Sequence, residues 1–70
     1  MIRQPVNSTN LRSVGYDPEP GTLEIEFTNG SVYQYLDIPA AVYQGLVTAS
    51  SHRDYFARHI RDRYPYRKIE

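Results

Sequence analysis

Apolar and polar residues alternate over residues 22–37, on both sides of an Asn-Gly pair at Asn29 and Gly30. Alternation with a period of two places successive side chains on opposite faces of a strand, so the stretch predicts two strands. Asn-Gly between two alternating runs is the strongest short signal for a β-hairpin. The pattern therefore predicts an antiparallel hairpin that turns at this pair.

Two registers of this hairpin are open. With a turn of two residues, Tyr33 and Tyr35 lie on the same face as the two glutamates of the first strand. With a turn of three residues that begins at Thr28 and leaves Gly30 left-handed in a bulge, both tyrosines share a face with the apolar residues of that strand. We favour the bulged register, because it gathers five large side chains on one surface and keeps two carboxylates off it. That surface would consist of Leu23, Ile25, Phe27, Tyr33 and Tyr35.

A third strand precedes the hairpin. Residues 11–17 read LRSVGYD, which has the apolar content of a strand, and residues 17–21 supply two prolines and a glycine, the residues of a turn. Residues 1–9 show no periodicity and contain Pro5. We therefore predict a loose N-terminal segment over residues 1–9 and a single domain over residues 10–70.

Two helices are predicted after the hairpin. Pro39 is tolerated at the start of the first, and four apolar residues share one side of it. The second covers about residues 52–63, with Ser51 and Asp54 as a capping pair and Pro65 beyond its end. The apolar side of the first helix is Val42, Tyr43, Leu46 and Val47. The stripe of the second is Tyr55, Phe56, His59 and Ile60, in which we read His59 as a core-edge histidine hydrogen-bonded locally.

This order of elements predicts an α+β fold: a small three-stranded antiparallel sheet, then two helices packed on one of its faces, then a short extended C-terminal tail. A chain of 70 residues buries only about 60% of its unfolded surface, so the core must be small. The absence of cysteine excludes disulfides and thiolate metal sites and permits a reducing compartment.

The formal net charge of zero conceals a division along the chain. Residues 1–49 contain two basic and five acidic residues, a net charge of −3, whereas residues 50–70 contain six basic and three acidic residues, a net charge of +3. The basic half closes with RDRYPYRK at residues 61–68. Such a division has two interpretations: a basic surface that binds an anion, or basic and acidic halves that pack against each other.

Cations beside aromatic rings are what a single-stranded nucleic acid needs, since the cations neutralise phosphates and the rings stack on bases. The closing stretch therefore predicts a binding module for RNA or another single-stranded nucleic acid. The candidate residues are Arg61, Arg63, Tyr64, Tyr66, Arg67 and Lys68. The competing interpretation is the charged end of a helix, in which Arg58 forms exposed ion pairs with Asp54 and Asp62.

Other binding functions fit the same composition. Tyr33 and Tyr35 are more typical of core walls whose hydroxyls reach the rim, although they could form an exposed stacking platform. Seven tyrosines and several arginines also suit a module for protein–protein interaction or self-association. A pocket for a small phosphorylated ligand is a third alternative.

Catalysis is not indicated. His52 and His59 are seven residues apart without an Asp, Glu or Cys at metal-binding spacing, and no glycine-rich phosphate loop is present. We predict no catalytic residue, no metal and no cofactor. No apolar run approaches the roughly 20 residues of a membrane span, and the N-terminus lacks the apolar stretch of a signal peptide, so we expect a cytoplasmic protein without a membrane partner.

Four stretches together resemble one family. SxNLRSVGYDPE, TLEIEFTNGSVYQYLDIP, VYQGLVTASS and YFARHIRDRYPY are similar to the KTSC domain, over about residues 6–69. That family is named for the C-terminus of some bacterial lysyl-tRNA synthetases and includes stand-alone bacterial and phage proteins. It has no established activity, and its synthetase context suggests RNA binding. The resemblance implies the predicted fold and tilts the expected function toward RNA binding.

Overall fold

One antiparallel sheet holds five strands in the order in which they occur along the chain, and two helices lie against one of its faces. The computed structural model describes all 70 residues. The predicted α+β class is confirmed, but the predicted number of strands is wrong, because the sheet has five rather than three. The strands are β1 (Gln4–Pro5), β2 (Leu11–Asp17), β3 (Thr22–Phe27), β4 (Val32–Tyr35) and β5 (Tyr66–Lys68), and the helices are α1 (Ala40–Thr48) and α2 (His52–His59).

Both additional strands come from the ends of the chain. β1 lies within the segment that was expected to be loose and pairs with β2, with Gln4 opposite Val14. β5 lies within the expected tail and pairs with β4, with Tyr66 opposite Tyr35. Strands of two and three residues are too short to show a period of two, so hydrophobic periodicity could not reveal them.

The hairpin of β3 and β4 has the bulged register. The Phe27 N–H donates to the Ser31 carbonyl at 2.8 Å, and the Gly30 N–H donates to the Phe27 carbonyl at 3.0 Å. Gly30 has a φ of +93°, a left-handed conformation that glycine adopts without a steric penalty. Tyr33 and Tyr35 consequently lie opposite apolar residues of β3 and face the helices.

The core lies between the sheet and the helices. Its buried residues are Leu11, Val14, Leu23, Ile25, Tyr35, Ile38, Leu46, Phe56 and Ile60. The predicted apolar side of α1 is confirmed, since Leu46 is buried and its three companions pack against this cluster. At one side of the core, the rings of Tyr16 and Tyr43 stack with centroids 4.5 Å apart.

Helix α2 begins as predicted and ends earlier. Ser51 is its N-cap, and the Ser51 hydroxyl accepts a hydrogen bond from the Asp54 N–H at 3.2 Å. The helix ends at His59 because Ile60 leaves the helical conformation, with a φ of −124° and a ψ of −50°. The chain then turns through Arg61, and both the Ile60 and the Arg61 N–H groups donate to the Phe56 carbonyl at 3.0 Å. This early turn brings the next residues back toward the sheet.

The two helices touch where α1 has no side chain. A Cβ atom added to Gly45 would overlap the Tyr55 hydroxyl, so the close approach of α1 to α2 requires glycine at this position. The Tyr55 ring in turn packs on the His59 ring, with centroids 4.4 Å apart. Neither helix has the length and apolarity that a membrane crossing requires.

Candidate nucleic-acid interface

An open cleft of about 380 Å³ lies between the helix-side face of the sheet and the turn that follows α2. Five aromatic rings form most of it, and three polar side chains complete its lining. The rings are Phe27, Tyr33, Tyr35, Phe56 and Tyr66, and the polar residues are Asn10, Arg61 and Asp62. We call this site the aromatic cleft.

Strand pairing places the three tyrosines of the aromatic cleft together. Tyr33 and Tyr35 are two residues apart on β4, so they share a face, and Tyr66 lies directly opposite Tyr35 on β5. The ring centroid of Tyr66 is 5.7 Å from that of Tyr33 and 5.5 Å from that of Tyr35. Tyr35 is 4% exposed and forms the floor, whereas Tyr66 is 58% exposed and forms an open wall.

The phenylalanines hold the floor in place. The Phe56 ring meets the Tyr35 ring with centroids 5.4 Å apart and planes inclined by 79°, and it meets the Phe27 ring with centroids 5.5 Å apart. Edge-to-face geometry of this kind stabilises aromatic pairs beyond the area that they bury. The same contacts that complete the core therefore also fix the floor of the aromatic cleft.

The three phenol groups converge inside the cleft. Burial raises the pKa of Tyr35 from its usual value of 10.0 to about 12, and the neighbouring phenols of Tyr33 and Tyr66 contribute to the increase. Arg61 opposes this change in the pKa, and Asp62 adds to it, so both charged side chains lie within electrostatic reach of the hydroxyl. The Tyr35 hydroxyl remains protonated at neutral pH and can donate a hydrogen bond.

Three of the six predicted binding residues lie on this side of the sheet. Arg61 is at the rim, its side chain is 59% exposed, and its Nε atom is 3.8 Å from Asp62 Oδ2. Lys68 lies opposite Tyr33 in the pairing of β5 with β4, so it shares the face of Tyr66. Arg61 and Tyr66 therefore line one opening, and Lys68 lies on the same face of the sheet without lining it.

Arg67 lies on the opposite face of the sheet, which we call the reverse face. It pairs with Gln34, and Arg67 Nε donates to Gln34 Oε1 at 2.9 Å. Gln34 Nε2 donates in turn to Glu24 Oε1 at 2.8 Å. The alternation of β5 thus separates Arg67 from its neighbours Tyr66 and Lys68 by the full thickness of the sheet.

The remaining two candidates do not line the aromatic cleft. Arg63 Nε donates to the Arg58 carbonyl at 3.0 Å, which caps the end of α2, and Tyr64 is half-buried against the core. The predicted ion pairs of Arg58 are wrong. Asp54 instead lies 3.5 Å from Arg53, and Asp62 lies beside Arg61, because the helix ends before Asp62 could occupy the next turn.

The histidines are not part of the cleft. His52 Nδ1 lies 2.8 Å from the Leu46 carbonyl, which can only accept, so this nitrogen carries the proton. His59 is exposed, and its ring packs on the Tyr55 ring. The predicted local hydrogen bond of His59 is wrong, because the histidine that is hydrogen-bonded to the backbone is His52. No three His, Asp or Glu side chains come together in a way that would hold a metal ion.

Two polar residues of the cleft had no signal in the sequence. Asn10 reaches the rim because its carbonyl accepts from the Thr28 N–H at 3.0 Å, beyond the end of the β2–β3 pairing. Asp62 reaches it because α2 ends early. The position of Asn10 depends on a contact with a residue distant along the chain, whereas that of Asp62 depends on the local turn that follows Phe56. The bulged register did contain the signal for Phe27, since it placed that ring beside the tyrosines.

Comparisons with known proteins give a consistent result. A family profile described as KTSC domain matches residues 7–64. The crystal structure of a KTSC domain protein from Yersinia pestis is 40% identical, covers 99% of this chain and 97% of its own, and superposes with a TM-score of 0.93. An uncharacterized protein of Stutzerimonas stutzeri is 47% identical over 73% of this chain and 72% of its own.

A larger relative shares one segment with this chain. A lysine–tRNA ligase of a Nostoc species is 32% identical over 59 residues, which make up 84% of this chain and 10% of the ligase. The similarity concerns that segment alone.

Proposed function

This chain belongs to the KTSC domain family, and we propose that it binds single-stranded RNA without catalysing a reaction, with a base in the aromatic cleft and phosphates on Arg61 and Lys68. One observation carries the proposal: three tyrosine rings and the Arg61 side chain line a single opening. Exposed aromatic rings stack on bases of any sequence because every base has a π-face.

The shape of the aromatic cleft favours a single strand. A base must leave its stack to enter a concave site, and the bases of a flexible strand can do so whereas those of a duplex are held by pairing. Tyr66 is the wall that an entering base would meet first, since it is more than half exposed. Tyr33 is half-buried beside it, so the two rings offer adjacent stacking surfaces.

The charge distribution supports an anionic ligand on the helix side. Arg61 lines the opening, and Lys68 lies on the same face of the sheet, opposite Tyr33. Arg61 is held only by one loose, exposed ion pair that contributes little to stability. Arg67 is engaged on the reverse face. We therefore assign two phosphate contacts to the site rather than one for each basic residue of the closing stretch.

A relative favours RNA over DNA as the first ligand to test. A lysine–tRNA ligase carries a segment similar to this chain. A binding segment in an enzyme that acts on tRNA would add contacts to the RNA. A role of this kind agrees with the cytoplasmic location that the sequence leads us to expect.

Fluorescence anisotropy with a labelled single-stranded RNA tests the proposal. With two phosphate contacts, the logarithm of the association constant should fall against the logarithm of salt concentration with a slope of about −1.4, since each contact contributes about −0.7. The variant Arg61→Ala should halve that slope, whereas Arg67→Ala, the matched loss of an arginine from the reverse face, should leave it unchanged.

Three results would contradict the proposal. One is the absence of binding to any single strand at low salt, and another is an affinity that does not depend on salt. The third is an equal effect of Arg61→Ala and Arg67→Ala, which would mean that RNA responds to the positive charge of the whole protein rather than to the aromatic cleft.

A further inference from the structure

The polar side chains at the rim of the aromatic cleft match the edge of one base better than the edges of the other three. We propose that the cleft selects guanine, which is read by the Asp62 carboxylate together with the Asn10 side-chain amide. This inference rests on the proposed function, because it requires that the cleft hold a base. It adds the identity of that base and the residues that choose it.

The carboxylate supplies the first half of the match. An ionised carboxylate has two acceptor oxygens and no donor. The Watson–Crick edge of guanine carries a ring N–H beside an exocyclic amine, which are two adjacent donors. Adenine and cytosine place an unprotonated ring nitrogen beside their amine, and uracil places a carbonyl on each side of its N–H. Each of these three bases would turn an acceptor toward the carboxylate. This arrangement costs free energy, because a base acceptor and a carboxylate oxygen that face each other have no hydrogen to share.

The amide supplies the second half. Guanine O6 lies next to the ring N–H and accepts hydrogen bonds. A side-chain amide contains an NH₂ group that can donate to it. Asn10 and Asp62 together thus offer one donor and two acceptors, in a set complementary to the acceptor and two donors of guanine. Both residues line the same cleft as the three tyrosine rings on which the base would stack.

The structure positions both residues while it leaves their tips accessible. Both backbone groups of Asn10 are hydrogen-bonded. The N–H donates to Ser8 Oγ at 3.3 Å, and the carbonyl accepts from the Thr28 N–H. Asp62 lies in the turn that follows α2, and its side chain is 87% exposed. The 3.8 Å approach of Arg61 to Asp62 is long for an ion pair, so the carboxylate can exchange it for the edge of a base.

Short RNAs that differ at one position test the selection. The probes are labelled heptanucleotides of uridine with guanine, adenine, cytosine, uracil or hypoxanthine as the central base, each titrated by anisotropy at one low salt concentration. Guanine should bind about tenfold more tightly than the other natural bases, a common value for one well-placed pair of hydrogen bonds. Hypoxanthine keeps the ring N–H and lacks the exocyclic amine, so its affinity should fall between guanine and uracil.

Two variants separate selection from binding. Asp62→Asn preserves size but replaces one acceptor with a donor, so the preference for guanine should fall to about twofold while the affinity for all-uridine RNA stays within about twofold. Asp54→Asn is the matched control, because Asp54 is also exposed and lies in the first turn of α2 but does not line the aromatic cleft. This control should retain the full preference.

The outcomes distinguish this inference from the proposed function. Equal binding of all five RNAs by the wild type, or an equal loss for all five in Asp62→Asn, would overturn guanine selection and leave RNA binding in place. Failure of every RNA to bind would overturn both. A full preference for guanine that survives in Asp62→Asn would also overturn the assignment of Asp62 as the residue that reads the base.

Discussion

The helix side and the reverse face of the sheet are built from alternate residues of the same strands, yet their polar groups are arranged differently. On the reverse face, a continuous set of hydrogen bonds crosses the sheet and leaves the central carboxylate satisfied. On the helix side, phenol hydroxyls and charged side chains face an open cleft. The reverse-face network joins Arg3, Glu24, Gln34 and Arg67, in that order.

This difference indicates which face is available to a ligand. Glu24 is 7% exposed, and its carboxylate accepts from Arg3 Nη1 at 2.8 Å and from Gln34 Nε2 at 2.8 Å. A ligand on the reverse face would have to break these bonds before it could form its own. The aromatic cleft needs no such exchange beyond one loose ion pair, so its polar side chains are more accessible than those of the reverse-face network.

The largest effect should come from the residue shared by the core and the cleft. Phe56→Ala should lower the free energy of unfolding by about 3–5 kcal/mol, because it removes a buried ring that contacts both Tyr35 and Phe27. Urea denaturation followed by circular dichroism measures this loss. Phe56→Leu keeps most of the volume and should cost roughly 1–2 kcal/mol. A loss below about 1 kcal/mol for the alanine variant would mean that the floor of the cleft is not part of the core.

The next largest effect concerns the reverse face. Glu24→Ala should lower the free energy of unfolding by about 2 kcal/mol, since it leaves Arg3 and Gln34 without their shared acceptor. Glu24→Gln keeps an acceptor oxygen and should cost about half as much. The affinity of the folded variant for single-stranded RNA should stay within about twofold of the wild type. A large loss of affinity without a loss of stability would show that the reverse face, too, contacts the ligand.

A binding effect should come from the open wall of the cleft. Tyr66→Ala should weaken RNA binding about tenfold, in line with the roughly 1–3 kcal/mol that a stacked base contributes. Its effect on stability should be under about 1 kcal/mol, because the ring is largely exposed. Tyr66→Phe retains the ring and should bind nearly as well as the wild type. Equal weakening by both substitutions would assign the contact to the hydroxyl rather than to the ring.

Ionisation of Tyr35 should have the smallest effect at neutral pH, because it changes the free energy of unfolding only in strong alkali. The folded protein holds the Tyr35 proton up to a pKa of about 12, whereas the unfolded chain releases it near 10.0. The folded state therefore binds more protons between these values, and its stability should decline as pH rises from about 10 to about 12. The contribution is fully present below pH 10.

Comparison with Tyr35→Phe isolates this contribution. Urea denaturation at pH 9 and pH 11 should show a smaller decline for the variant than for the wild type, because the variant has no phenol at this position to ionise. Identical declines would indicate that the hydroxyl of Tyr35 is as well hydrated in the folded protein as in the unfolded chain.

Several features of the fold and the site follow from short stretches of sequence. The Asn-Gly turn and the alternation around it predicted the bulged register, and with it the positions of Phe27, Tyr33 and Tyr35 on the helix side. Ser51 and Asp54 predicted the start of α2. Each of these depends on residues that are neighbours along the chain, where turn conformation and side-chain period act directly.

The division of the basic stretch could not be predicted in this way. A run of cations along the chain predicts one basic surface. The pairing of β5 with β4, however, places Arg67 on the reverse face, where it contacts Gln34, a residue 33 positions away along the chain. Asn10 likewise meets Asp62 and Tyr66 at the cleft from a distant part of the chain.

The sequence by itself determined the fold class and the apolar side of α1, and it favoured the hairpin register that the structure has, because period and turn chemistry operate over a few residues. Only the tertiary structure decided the number of strands, the end of α2 and the membership of the aromatic cleft. The physical reason is that a three-residue strand has no preferred face until it pairs, and its pairing partner then assigns every side chain to one side of the sheet or the other.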